Sequence, residues 1–145
     1  MPGLIIIRID EDLFFANAMP ISEEIERIVA ESDEPDKAVL IDLELSDELD
    51  ITSVEMLAEL QQTLAKNDIP LMLSRVSPDG RALLDRSGVT DLIGADKIFL
   101  RALGGIAYYR EEEDIPVENA KGLTAVLINS LSNLYAVMAE RSKDP

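Results

Sequence analysis

The sequence predicts an α/β domain built on a small, mixed, mostly parallel sheet, with an N-terminal hairpin and four to five helices. Three observations support this fold class. Short runs of β-branched and aliphatic residues alternate with segments of helical periodicity, an order that favours parallel strands joined by crossover helices. The apolar runs alternate only partly with polar residues, as expected of strands that are covered on both faces. At 145 residues, the chain is long enough for one such domain and its core.

The first predicted strand covers residues 4–9, a short run that is rich in isoleucine. Residues 10–12 are acidic and predict a polar turn, after which residues 13–16 pair back as the second strand of the hairpin. A helix is then expected to begin near residue 21, because isoleucines recur from that point at helical spacing.

The central unit consists of a buried strand at residues 39–45, an acidic loop and an amphipathic helix at residues 54–67. The loop displays polar side chains at the carboxyl end of a central strand, which is where open α/β sheets commonly carry their functional residues. Thr52 and Glu55 have the spacing of a capping box. This spacing predicts that the Thr52 hydroxyl caps the helix.

The second half of the domain follows the same alternation. A strand is predicted at residues 70–76, and the Ser-Pro pair at residues 77–78 predicts a helix with a hydroxyl cap and proline at its first position. Gly88 is expected to end this helix in the left-handed conformation. A short edge strand at residues 97–99 and a weak helix at residues 101–109 complete the predicted domain.

The sequence divides into a domain at residues 1–109, a charged linker at residues 110–121 and a C-terminal amphipathic helix at residues 122–141. Apolar residues repeat every three or four positions along this helix. The seam that they form is centred on Leu127, Leu131, Leu134 and Met138. Two alternatives remain open at this point. The helix packs against its own domain, or it docks on a partner or pairs with a second copy to form a homodimer.

Composition excludes several classes of function. With 13 basic and 29 acidic residues, the net charge is −16, and such a surface repels phosphate backbones and anionic membranes. The chain contains neither histidine nor cysteine, which removes the commonest general base, the thiolate nucleophile and the commonest metal ligands. No run approaches the ~20 apolar residues that span a bilayer. We therefore expect no nucleic-acid partner, enzyme activity, cofactor, metal site or membrane span.

Two segments of the chain together carry a resemblance to a known family. Residues 2–9, followed by the Leu-Phe-Phe-Ala-Asn-Ala run at residues 13–18, form the first segment. The second is the strand and loop at residues 40–53, which end in Asp-Ile-Thr-Ser, with the helix and strand that follow them. Across residues 2–107, this combination resembles the STAS domain (sulfate transporter and anti-sigma factor antagonist). It resembles in particular the cytoplasmic domain of SulP-type anion transporters.

The resemblance implies a STAS fold and a non-enzymatic, cytoplasmic domain that regulates or binds other proteins. The partner that it implies is the membrane domain of a SulP-type sulfate or anion transporter, or else a regulatory protein. The alternative that it implies is a stand-alone anti-sigma factor antagonist that works as a Ser/Thr phospho-switch.

The same resemblance assigns roles to residues of the central loop. In the antagonist branch, a partner kinase phosphorylates the hydroxyl residue of an Asp-x-Ser/Thr-Gly loop. Thr52 occupies the matching position, and Ser53 replaces the glycine, so both are candidate phosphorylation sites. The expected partner-docking surface comprises Asn17, Asp47, Asp50, Thr52 and Ser53.

Overall fold

A computed structural model describes residues 3–112, 124–129 and 133–137. Its strands, in chain order, are β1 (Leu4–Ile9), β2 (Ala38–Asp42), β3 (Leu71–Ser74), β4 (Ile98–Phe99), β5 (Thr124–Asn129) and β6 (Asn133–Val137). They form one sheet in the order β4-β3-β2-β1-β5-β6. All neighbouring strands are parallel except β5 and β6, which are antiparallel, so the sheet is mixed and mostly parallel, as predicted.

The helices alternate with the first four strands and cover both faces of the sheet. They are α1 (Ala18–Glu31), α2 (Ile51–Ala65), α3 (Pro78–Arg86), α4 (Val89–Ile93) and α5 (Ala102–Glu112). Helices α1 to α4 contact one another on one side, whereas α5 contacts β2, β3 and β4 on the other. The carboxyl ends of the parallel strands therefore meet at one end of the sheet, where their loops lie side by side.

The core consists of two apolar layers separated by the sheet. Along β1, Ile5, Ile7 and Ile9 pack into the layer beneath α1 and α2, while Leu4 packs into the layer beneath α5. This alternation follows from the two-residue period of a strand. Four of the six β1 residues are buried, Ile6 is half-buried and Arg8 alone is exposed, which explains why the sequence of this strand is apolar at nearly every position.

Several local predictions are confirmed. The Ser77 side chain accepts a hydrogen bond from the Gly80 amide at 3.0 Å and caps α3, with Pro78 in the first turn. Gly88 adopts a left-handed φ of 82° at the end of this helix. Strand β4 lies at the edge of the sheet, and α5 follows it.

The predicted N-terminal hairpin is wrong. Strand β1 lies between β2 and β5, and residues 13–16 form no strand, because a turn at residues 15–17 leads into α1. The carbonyl of Phe14 accepts hydrogen bonds from the amides of Asn17 at 3.1 Å and Ala18 at 2.9 Å, so the chain folds directly into α1. This helix begins earlier than predicted because Pro20 fits its first turn, where no intrahelical amide bond is required.

The predicted C-terminal helix is also wrong over the residues that the structure describes. Leu127 lies in β5 and Leu134 in β6, while Leu131 and Met138 lie outside the described residues. The run Thr-Ala-Val-Leu-Ile-Asn forms a strand that pairs with β1, whose edge would otherwise be open. The homodimer predicted through this helix therefore loses its structural basis. Most of the predicted linker at residues 110–121 lies outside the described residues.

Candidate functional site

The candidate site lies at the carboxyl ends of β1 and β2, in the loops that lead from each strand into the next helix. Residues 10–17 connect β1 to α1 and are called the first loop below, and residues 43–50 connect β2 to α2 and are called the second loop. The predicted docking residues all lie in these loops or in the first turn of α2. The structure therefore brings them to one end of the sheet.

Hydrogen bonds tie the two loops together. The Ser46 hydroxyl donates to the Glu11 carbonyl at 2.8 Å, and the Asp47 amide donates to Oδ1 of Asp12 at 3.1 Å. Ser46 is buried, with 1% of its surface exposed, so its bond is shielded from competition by water. These bonds fix the relative position of two segments that are 35 residues apart in the sequence.

Asp50 is the residue that links the loops to α2. Its Oδ1 accepts hydrogen bonds from the Ser53 amide at 2.9 Å and the Ser53 hydroxyl at 2.7 Å, while its Oδ2 accepts from the Phe15 amide at 2.8 Å. Partial burial raises the pKa of the Asp50 carboxyl. The bonds from Ser53 and Phe15 outweigh that effect, so the pKa lies below its ordinary value of 3.8.

The capping prediction for Thr52 is wrong, because Asp50 is the N-cap of α2. Aspartate is among the strongest N-cap residues, and its placement moves the helix start to Ile51, three residues before the predicted start. Thr52 consequently lies in the first turn with an exposed side chain, and Ser53 is fully buried. The two candidate phosphorylation residues thus differ sharply in accessibility.

Asn17 stabilises the first loop from within. Its Oδ1 accepts a hydrogen bond from the Phe14 amide at 2.8 Å, and its Nδ2 donates to the Asp12 carbonyl at 2.8 Å and to Oε2 of Glu11 at 3.2 Å. Only 4% of its surface is exposed. Its amide therefore serves the turn that leads into α1.

The five residues of the predicted docking surface fall into two groups. Asn17, Asp50 and Ser53 use their side chains in bonds within the loops and present little of them to a partner. Asp47 and Thr52 have exposed side chains. The backbone of Asp47 also joins a third loop, because its carbonyl accepts a hydrogen bond from the Ser77 hydroxyl at 2.8 Å.

An apolar surface that sequence reasoning missed lies beside these polar residues. We define the apolar patch as Phe14, Phe15, Met19 and Ile51, whose exposed fractions are 39%, 70%, 61% and 56%. The bond from the Phe15 amide to Asp50 places the first loop beside the residue that precedes Ile51. The rings of Phe14 and Phe15 meet edge to face, with centroids 5.6 Å apart.

The missed signal was a pair of aromatic residues next to a polar turn. The sequence places the pair in a predicted strand, since aromatic residues favour strands. Asn17, three residues after Phe14, is the feature that indicates a turn, since asparagine commonly bonds the backbone of its own turn.

Carboxylates dominate the charge of the two loops. The first loop contains three acidic residues and the second contains four, and neither contains lysine or arginine. Beside them, Arg75 binds Glu44 at 2.6 Å and approaches Asp42 at 3.8 Å, and Arg8 binds Glu44 at 3.2 Å. The positive charges of these two arginines offset the negative charges of Asp42 and Glu44, where β2 leads into the second loop.

The described residues contain no group of three or more acidic, histidine or cysteine side chains arranged to hold a metal ion. Over the same part of the chain, no helix has both the length and the apolar character that a membrane crossing requires. The buried polar side chains of the two loops, Asn17 and Ser46, bond to other groups of the loops, and large apolar side chains are exposed beside them.

Comparisons with known proteins agree with this architecture. The family model described as STAS domain matches residues 1–102. The high affinity sulfate transporter 2 of Stylosanthes hamata is 32% identical over 117 residues, which cover 75% of this chain but only 18% of that protein. The chain thus corresponds to a small part of the transporter that it matches.

Solved structures show the same fold. The SulP transporter STAS domain of Vibrio cholerae superposes with a TM-score of 0.67 at 21% identity, covering 79% of this chain and 86% of that one. A sulfate transporter family protein from Wolinella succinogenes gives a TM-score of 0.66, also at 21% identity, with coverages of 77% and 88%. At this level of identity, the similarity concerns the arrangement of helices and strands.

Proposed function

The chain belongs to the STAS domain family, and from that premise we propose that it is a non-enzymatic regulatory domain of a SulP-type anion transporter. The observation that carries the proposal is the match to sulfate transporters from plants and bacteria over about three quarters of the chain, 75% for Stylosanthes hamata and 76% for Mycobacterium tuberculosis. A domain of this kind acts by contact with other proteins, and its site is a surface.

The geometry of the two loops supports a docking role over catalysis. A catalytic site needs polar groups aimed at a substrate. Here Asn17, Asp50 and Ser53 direct their polar atoms at the loops themselves. The result is a rigid platform that exposes aromatic and aliphatic side chains, which is the composition typical of the buried centre of protein interfaces.

We assign the docking surface to the apolar patch together with the exposed side chains of Asp47 and Thr52. Asn17, Asp50 and Ser53 belong to the same surface as its support. The partner in this proposal is the membrane domain of the transporter or a protein that regulates it. The domain would therefore work at the cytoplasmic face of the membrane, where its acidic surface would be repelled by anionic lipid and attracted to basic protein surfaces.

The proposal is tested by measuring anion uptake in the native organism after in-frame deletion of the codons for residues 3–112. Uptake of radiolabelled sulfate, bicarbonate and chloride is compared with that of the parent strain, and transporter abundance is followed by immunoblot. We expect uptake of at least one anion to fall severalfold and to recover when the chain is restored. Unchanged uptake of all three anions would contradict the proposal.

A second candidate function is the phospho-switch of an anti-sigma factor antagonist. The exposure of Thr52 favours it, since a kinase can reach this hydroxyl in the first turn of α2. A phosphate there would lie near free amides of the helix start but also beside the carboxylates of the second loop.

The switch is tested by incubating the chain with ATP and extract of the native cells and then measuring its intact mass. The switch predicts one phosphate adduct, which is lost in Thr52→Ala and retained in Ser53→Ala. The absence of an adduct, or an adduct that survives in Thr52→Ala, removes Thr52 as the switch.

A further inference from the structure

We propose that the apolar patch binds a polypeptide surface in which apolar side chains are surrounded by lysine and arginine. This inference rests on the proposed function, because it concerns the same docking surface, and it specifies the chemistry of the partner. It follows from two properties of the patch: the rigidity of its support and the charge of its surroundings.

The patch is held in place before any partner arrives. Phe15 is fixed through its amide by Asp50, and Phe14 is fixed through its amide by Asn17. Met19 and Ile51 lie in the first turns of α1 and α2. Binding therefore requires little ordering of the backbone, which preserves more of the favourable free energy of burying these side chains.

The surroundings of the patch are acidic on both loops. Asp12, Asp47 and Glu48 are exposed, and the loops that carry them contain no basic residue. Arg8 and Arg75, beside the second loop, are paired with Glu44. A partner that buries the patch must approach these acidic side chains. Basic side chains around the apolar centre of the partner's surface would complement their charge.

The same charge argues against three other occupants. A second copy of the chain would bring its own acidic loops against these, and like charges facing each other across an interface are unfavourable. An anionic bilayer and a nucleic acid would be repelled for the same reason. A polypeptide with apolar side chains among basic ones is the macromolecule that complements both the apolar patch and the acidic residues beside it.

This chemistry matches the proposed position of the domain. Cytoplasmic loops of membrane proteins carry an excess of lysine and arginine close to the ends of their apolar helices. The cytoplasmic face of a transporter's membrane domain therefore offers apolar helix ends within a basic border.

The test uses the whole chain and three synthetic helical peptides as probes. The first peptide has leucine on one face and lysine on the other, the second replaces each lysine with glutamate, and the third replaces each leucine with serine. Binding is measured by isothermal titration calorimetry, and the contact surface is mapped by amide chemical-shift changes. We expect the leucine–lysine peptide to bind at least tenfold more tightly than either of the others.

Two double variants locate the binding. Phe15→Ser with Met19→Ser should weaken binding of the leucine–lysine peptide at least tenfold. Leu100→Ser with Leu103→Ser, a matched change at exposed leucines elsewhere, should change it less than twofold. Circular dichroism melting establishes that both variants are folded, and the chemical-shift map of the wild-type chain gives an independent location.

Three results would each overturn the inference. They are equal binding of the lysine and glutamate peptides, equal effects of the two double variants, and chemical-shift changes centred away from residues 14–19 and 51. A failure of this kind leaves the proposed function standing if anion uptake still depends on the domain. Loss of charge discrimination with uptake intact would mean that the partner surface has a different chemistry.

Discussion

Two corners of the molecule expose apolar side chains, and they differ in what supports them. The apolar patch sits on loops held by side-chain hydrogen bonds from Asn17, Ser46 and Asp50. At the corner between β4 and α5, Leu100 and Leu103 are 92% and 71% exposed, and the hydrogen bond from the Gly104 amide to the Arg101 carbonyl, at 3.0 Å, joins backbone groups. Exposure alone therefore does not mark the docking surface. The side-chain hydrogen bonds that hold the loops and the acidic residues beside the patch distinguish the first corner from the second.

The largest expected effect comes from removing the centre of that support. Asp50→Ala deletes a helix cap and leaves the fully buried Ser53 hydroxyl without its acceptor, so the free energy of unfolding should fall by about 2 to 3 kcal/mol. Ser77→Ala is the comparison, since it deletes the cap of α3 together with one hydrogen bond to the Asp47 carbonyl and should cost about 1 to 2 kcal/mol. Urea unfolding measures both. A loss in Asp50→Ala smaller than that in Ser77→Ala would contradict the central role of Asp50.

A smaller difference is expected between the two neighbouring hydroxyl residues. Ser53→Ala removes a buried hydrogen bond to Asp50 and should lower the free energy of unfolding by about 1 kcal/mol. Thr52→Ala changes an exposed side chain and should stay within about 0.5 kcal/mol of wild type. Urea unfolding at neutral pH separates them, and a larger loss for Thr52→Ala would contradict the assignment of the cap to Asp50.

The lowered pKa of Asp50 makes this corner sensitive to acid. A carboxyl whose pKa is lower in the folded state contributes stability that is present above the unfolded pKa and is lost as the pH falls through the folded pKa. Stability measured between about pH 6 and about pH 3 should therefore decrease on acidification, and less steeply in Asp50→Asn. Asp79→Asn, at an exposed carboxylate in the first turn of α3, is the control. A slope unchanged in Asp50→Asn would contradict the account.

The smallest effects are expected from the exposed apolar residues themselves. Phe15→Ser, Met19→Ser and Leu100→Ser should each change the free energy of unfolding by no more than about 0.5 kcal/mol, because each side chain is mostly exposed. Thermal melting checks this directly. A large loss in Phe15→Ser would mean that its ring belongs to the core and not to a docking surface.

The parts of the fold that are set by local chemistry could be predicted from the sequence. The Ser-Pro start of α3, the left-handed Gly88 and the buried central strand each depend on a few adjacent residues. The C-terminal strands could not, because a continuous apolar run such as that of β5 fits a helix and a buried strand equally well. Its pairing with β1, more than a hundred residues earlier in the chain, decides the outcome.

The candidate site was predictable in place but not in detail. The rule that polar loops gather at the carboxyl ends of parallel strands located the second loop, whereas the first loop was predicted as part of a hairpin. The role of each side chain depended on contacts across 35 residues of sequence, such as that from the Phe15 amide to Asp50. Because of such contacts, Asp50 and other predicted docking residues bond within the loops, whereas Phe15 and Ile51 are exposed at the surface.

The most direct test of the account measures binding of the purified chain to the membrane domain of a SulP-type transporter from the same organism, reconstituted in lipid nanodiscs. The account predicts that Phe15→Ser with Met19→Ser weakens this binding at least tenfold, whereas Leu100→Ser with Leu103→Ser leaves it within twofold of wild type. Binding that is insensitive to the first pair, or lost equally with the second, would contradict the claim that the apolar patch is the docking surface.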